Sequence, residues 1–136
     1  MSAVAIIQAL LKAHAPLTAL LPAARVIAGK IPANVPLPAI SVSEVDGDEI
    51  GTVARLNTAS TIKARVQVTV VAESYGAQKA LMHAIKLGAG VHRAVVAGYQ
   101  TLSVLPAGTG PDMNNLDNDG IYEQSRDFLV TFVEPN

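Results

Sequence analysis

Between Thr61 and Glu73 the chain reads TIKARVQVTVVAE, with an apolar residue at every second position. Ile62, Ala64, Val66, Val68, Val70 and Ala72 fall on one side. Lys63, Arg65, Gln67, Thr69 and Glu73 fall on the other, with Val71 the exception. Successive side chains of a strand point to opposite faces, so this stretch reads as an antiparallel strand with one packed face. The packed face needs a cover, and the sequence supplies one immediately. After Ser74 the apolar spacing changes from two to three and four, which is helical. Ser74 is placed to cap a helix predicted from Tyr75 to about Val96, with Leu81, Ala84, Ile85, Gly88, His92 and Val95 near one stripe. Gly88 and Gly90 weaken that helix by up to about 1 kcal/mol each relative to alanine. Gly98 suits its C-terminal stop.

The remaining segments are read around this unit. Residues 3–13, AVAIIQALLKA, place Ile7, Leu10, Leu11 and His14 at helical spacing, with Ser2 available as a cap. Pro16 ends that helix and can open a second short turn through LTALL. ARVIA, residues 24–28, reads as a short strand. GKIPANVPLPAI contains Pro32, Pro36 and Pro38 and reads as an extended crossing. AISVSEV, residues 39–45, reads as a strand, and residues 46–60 as a long polar hairpin loop. TLSVL, residues 101–105, is a further strand, followed by a loop over 106–120 full of turn residues. In the last strand, IYEQSRDFLVTFV, Tyr122, Phe128, Val130 and Phe132 share a face, with Arg126 among them. The expected architecture is α+β: one domain over 1–136, with a single antiparallel β-sheet of about four to five strands and two main helices packed on one face.

Composition narrows the function. The chain has no cysteine, which removes disulfides, thiolate nucleophiles, zinc–thiolate sites and iron–sulfur clusters, and fits a reducing compartment. A net charge of −1 gives no electrostatic reason to expect nucleic-acid or membrane-surface binding. The N-terminal stretch MSAVAIIQALLKAHAPL lacks a basic leader region, and Gln8, Lys12 and Pro16 interrupt its apolar run. Charged residues are 15% of the chain, against about 25% in typical soluble domains, while hydrophobic residues reach 50%. That imbalance points to surface covered by other copies or partners, with an alanine-rich monomer as the plainer alternative.

The catalytic and metal motifs are weak. Asn115, Asp117, Asp119 and Gly120 match the first half of a calcium loop, but Arg126 stands where the bidentate glutamate belongs, so an acidic turn is expected. GAGVHR, residues 88–93, lies within the expected helix and not directly after a strand, as a dinucleotide site requires. His14, His83 and His92 show no metal-binding spacing, and no local motif nominates a serine–histidine pair. No catalytic, cofactor-binding or metal residue is assigned. Lys79, Lys86 and Arg93 are spaced seven apart and would align along a continuous helix. A solvated face explains such a stripe. So does an acidic partner surface, for which this chain offers Glu44, Asp46, Asp48 and Glu49 in one segment and Asp112, Asp117 and Asp119 in another. Opposite charges on separate edges suit a head-to-tail contact, which closes into a ring if the rotation allows.

Four stretches in this order are also familiar together: the N-terminal helix with APLTALLPAARVIAG, the proline-bearing IPANVPLPAISVSEV, the strand-to-helix unit KARVQVTVVAESYGAQKALMHAIK, and GIYEQSRDFLVTF. The chain resembles the tail-completion proteins of long-tailed bacteriophages, also called tail terminator or head-to-tail joining proteins. The resemblance covers most of the chain. It implies a non-enzymatic virion structural protein without cofactors, made in the host cytoplasm. It further implies a homo-oligomeric ring, hexameric, at the head-proximal end of the tail tube. Such a ring would end tube growth, meet the tail tube protein and the head connector proteins, and let DNA pass through its lumen unread, with no membrane involved. The long helix with its glycines and the extended 106–120 loop depart from the family pattern, so loop contacts do not carry over. Two other readings stand beside this one: a small α+β dimeric enzyme or ligand-binding module, and a monomeric adaptor.

Overall fold

The alternating stretch becomes β3, Ala59–Ala72, a central strand of the sheet in the computed structural model, which describes residues 2–32, 34–50, 59–86, 94–110, 113–114 and 121–135. β3 is flanked by β2, Ala39–Ile50, and by β7, Tyr122–Pro135, both antiparallel to it. Beyond β7 lie β5, Tyr99–Thr109, and then β4, Ala94–Val96, again antiparallel. Beyond β2 lies the short β1, Val26–Ala28, which runs parallel to it. The order is β1-β2-β3-β7-β5-β4, and the two-residue β6, Met113–Asn114, also pairs with β7. The sheet is therefore mixed and longer than the four to five antiparallel strands expected from sequence. Period-2 alternation reports a buried face but not the direction of a neighbouring strand, so β1 lies within the short strand expected over 24–28 but runs parallel to its neighbour.

The middle of one face of this sheet is apolar and covered. Ala64, Val66, Val68, Val70 and Ala72 of β3 have no exposed surface, and Ile40 and Val42, Val104, and Phe128, Val130 and Phe132 extend the same layer across β2, β5 and β7. Burying each valine, isoleucine or phenylalanine of this layer contributes about 1.5–3 kcal/mol. The cover is built by α1, Ser2–Lys12, and α3, Tyr75–Ala84. α1 buries Ala3, Val4, Ile6, Ile7 and Leu11 and touches β1, β2, β3, β4, β5 and β7, so the sheet curls around it. α3 buries Leu81, Met82 and Ala84 and packs on β3 and β7. Helix α2, Ala15–Thr18, carries Pro16 in its first turn as expected, and its Leu17 joins the core. Ser2 is the first described residue of α1 and lies within the helix rather than before it.

Two other boundaries move. Ser74 caps α3 as predicted, its Oγ accepting from the Ala77 N–H at 3.1 Å. The helix then stops at Ala84, ten residues long instead of about twenty-two. Residues 87–93 lie outside the described set, and 94–96 are β4, where Val95 and Val96 follow their β-branched preference for strand. Ala97 (φ 53°) and Gly98 (φ 84°) join Val96 to Tyr99 as a two-residue turn with both central residues in the left-handed region, the primed geometry that suits a twisted hairpin. Gly98 thus turns a hairpin and does not stop a helix. The two expected long loops are also shorter than read. β2 continues to Ile50 and β3 begins at Ala59, while β5 continues to Thr109 and β6 occupies 113–114. Strand residues exposed on both faces show no alternation, and these polar stretches looked like loop for that reason.

Candidate assembly surfaces

The second face of the sheet has no helix on it among the described residues. Its residues follow from the register: Asp46 lies opposite Arg65, Asp48 opposite Lys63, Gln67 opposite Asp127, Thr69 opposite Ser125 and Val71 opposite Glu123. Arg65 organises the middle of this face. Its Nε donates to Asp127 Oδ2 at 2.7 Å and its Nη2 donates to the Ala107 carbonyl at 3.1 Å, so one side chain ties β3 to β7 and to β5. Gln67 Nε2 donates to Ser125 Oγ at 3.2 Å and adds a second cross-strand link. At the β2 end, the proline-bearing crossing forms an open groove of about 430 Å³, with Ile31, Pro32, Val35 and Leu37 on one side and Thr69 and Val71 below. The Leu37–Pro38 bond in this crossing is cis. A smaller hollow of about 230 Å³ opens where β1 ends, among Ala28, Gly29, Val42 and Ser43.

The basic stripe does not form as one row. Lys79 is held on the helical side: its Nζ donates to Gln124 Oε1 at 2.9 Å and lies 5.0 Å from the centre of the Tyr75 ring. Tyr75 in turn meets Tyr122 edge-on at 6.3 Å. These contacts fasten α3 to β7. Lys86 is exposed but follows the end of α3, so the helical phase that aligned it with Lys79 does not reach it. Arg93 lies outside the described residues. The first acidic group is strand, not loop. Asp46 and Asp48 are exposed beside Arg65 and Lys63, and Glu49 accepts from Ser60 Oγ at 2.6 Å. Glu44 sits just before a β-bulge at Val45. Asp112, Asp117 and Asp119 lie outside the described residues, as do the calcium-like stretch 115–120, His92 and most of GAGVHR. His14 is half-buried, and His83 is exposed in the last turn of α3. Among the described residues no three histidine, aspartate or glutamate side chains converge on a metal position.

Sequence reasoning missed three features. One is the Arg65–Asp127–Ala107 link, which joins residues far apart in the chain. Another is Gln78, a polar residue buried completely beneath α3. The third is the outline of the sheet, whose end strands are far shorter than their neighbours. Only Gln78 had a sequence signal, since it lies three residues before Leu81 and so on the same helical stripe.

Fold and surfaces together define a class: a small α+β protein built as one curled sheet around a helix, presenting a charged open face and stepped strand edges. The chain belongs to the tail completion protein gp17 family, whose model matches residues 5–120. It is a structural protein of phage tail assembly. A chain of the virion of a native gene transfer agent particle has a similar fold, with a TM-score of 0.64 over 96% of this chain and 94% of that one, at 16% identity. At that identity the likeness concerns the fold. No curated protein matches the chain in sequence.

Proposed function

We propose that the protein forms a ring, most simply a hexamer, at the head-proximal end of the tail tube, where it ends tube growth and joins tail to head. The observation that carries this reading is the family match over residues 5–120, most of the chain. The sheet's end-to-end asymmetry suits it, because a repeated head-to-tail contact forms a ring when its rotation closes. The open face carries Asp46, Asp48, Glu123 and Asp127 against Lys63 and Arg65. Turned toward a lumen, this acidic excess would repel passing DNA and favour transit without binding. The tail tube protein would meet one rim and the head connector proteins the other. The molecule has no catalytic task in this reading, and its whole chain acts as one domain.

Lys86 and Arg93 are the cations proposed for the contact, and Asp112, Asp117 and Asp119 the acidic group proposed to meet them. Replacing Lys86 and Arg93 together by glutamate is expected to weaken self-assembly, read as a loss of high-mass species by light scattering. Unchanged assembly would return both to solvated surface. The function itself is tested by removing the gene from a producing phage or prophage. The expected particles are unjoined heads with tail tubes of uncontrolled length in electron micrographs. Normal joined virions would sink the reading.

A further inference from the structure

The sheet ends in two steps rather than two straight edges. On one side β1 covers only Ile40–Val42 of the twelve-residue β2, and the Gly29 N–H closes the contact at the Val42 carbonyl. Above that point no described strand lies beside β2 on its outer side. On the opposite side β4 covers only Tyr99–Thr101 of the eleven-residue β5, and below Thr101 no described strand lies beside β5 on its outer side. Such an edge presents backbone donors and acceptors that template another strand; here the regular stretches are Leu102–Leu105 of β5, before Pro106, and β2 beyond its bulge at Val45.

The two open edges match in height. Following the register across β7 and β3, Ser103 lies level with Thr131, Lys63 and Asp48, and Leu105 lies level with Leu129, Arg65 and Asp46. Thr109 lies level with Arg126, Val68 and Val42, where β1 stops. They also match in direction. Three antiparallel pairings separate β2 from β5, so the two strands run oppositely. A second copy rotated about an axis along the strands would therefore set its β5 antiparallel to β2. The step left by β1 would receive the lower end of that β5, and β4 would sit above. Exposed apolar side chains lie here too: Val45 is 53% exposed on one edge and Leu105 42% on the other.

Charge selects among pairings. Two copies of β2 laid against each other would set Asp46 and Asp48 of one near the same acids of the other, and facing like charges destabilise a strand pair. The free part of β5, Leu102–Thr109, has no charged residue to oppose them. We propose that the open edges join between copies, β2 above Val42 pairing antiparallel with β5 below Thr101 of the next copy, Asp46 beside Leu105 and Asp48 beside Ser103. One sheet then continues from subunit to subunit. This inference rests on the ring reading and names the surface that would build it.

The chain has no cysteine, which makes a cross-linking test clean. Within one copy, positions 46 and 105 are three strand spacings apart, about 14 Å, too far for a disulfide, which needs Cα atoms within about 7 Å. All four positions face solvent at least in part, so the variants should fold. Asp46→Cys with Leu105→Cys in one chain, oxidised at a concentration where the unaltered protein assembles, is expected to give a ladder of dimers and larger species on a non-reducing gel. Asp48→Cys with Ser103→Cys is expected to do the same, and each single variant to stay monomeric on the gel. Asp46→Cys linking to itself would show β2 against β2 and overturn the proposal. Assembly by light scattering with no ladder from either pair would place the contact elsewhere, leaving the ring reading intact. An unaltered protein that stays monomeric at every concentration, with no ladder, would remove both.

Discussion

Gln78 shows how a single residue can run against the core around it. It is fully buried on α3, and neither its amide nitrogen nor its amide oxygen has a hydrogen-bonding partner among the described residues. Leaving a buried polar group unsatisfied costs about 1–3 kcal/mol. Gln78→Met keeps the length of the side chain and removes the amide. It is expected to raise stability by about 1–2 kcal/mol in urea unfolding, and a loss of stability would mean that the amide has polar company. Arg65 is the opposite case, a charged residue that is well satisfied. Its side chain is 40% exposed and that of its partner Asp127 only 14%, so solvent screens the pair in part. A double-mutant cycle with Arg65→Ala and Asp127→Ala is expected to give a coupling of about 0.5–1 kcal/mol. Part of the single Arg65 effect would persist without Asp127, because Arg65 also holds the Ala107 carbonyl.

At the scale of elements, what the sequence disclosed depended on whether one face of each segment was buried. β3 and β7 were legible because most of their apolar residues alternate and face the helices, with Val71, Leu129 and Val133 on the other side. α1 and the start of α3 were legible for the same reason at helical spacing, and Ser74 marked the boundary between the two periods. Past Ala84 the pattern misled: Val95 fits a helical stripe by spacing yet is 72% exposed on an edge strand. A two-residue turn explains that error. Ala97 holds φ 53°, a region alanine occupies at a cost, so the sequence lacked the Asn-Gly pair that announces such a hairpin. Ala97→Asn is expected to stabilise the β4–β5 hairpin by about 0.5–1 kcal/mol, seen as a higher unfolding midpoint. The assembly surfaces were legible only as a list of charges. Asp46 and Asp48 could be named, but their place on an open strand edge depends on β1 stopping at Ala28, which no residue type announces.

The whole molecule is a sheet wrapped on one helix, with charged residues only 15% of the chain. If copies associate through folded surfaces, association adds to stability by mass action. The thermal midpoint is then expected to rise as protein concentration is raised over two to three decades, in step with the high-mass fraction from light scattering. A midpoint independent of concentration would mark a molecule complete by itself.

The placement of β7 has a last consequence, for how the chain is made. β7 holds the final described residues, yet it sits mid-sheet, holding β3 on one side and β5 and β6 on the other. Until it emerges from the ribosome, the two halves of the sheet have no strand to bring them together, and α1 waits with its apolar side unclosed. Translation that halts near residue 120 would yield a sticky fragment for proteases to clear. Only chains extended through β7 would become competent to join a particle.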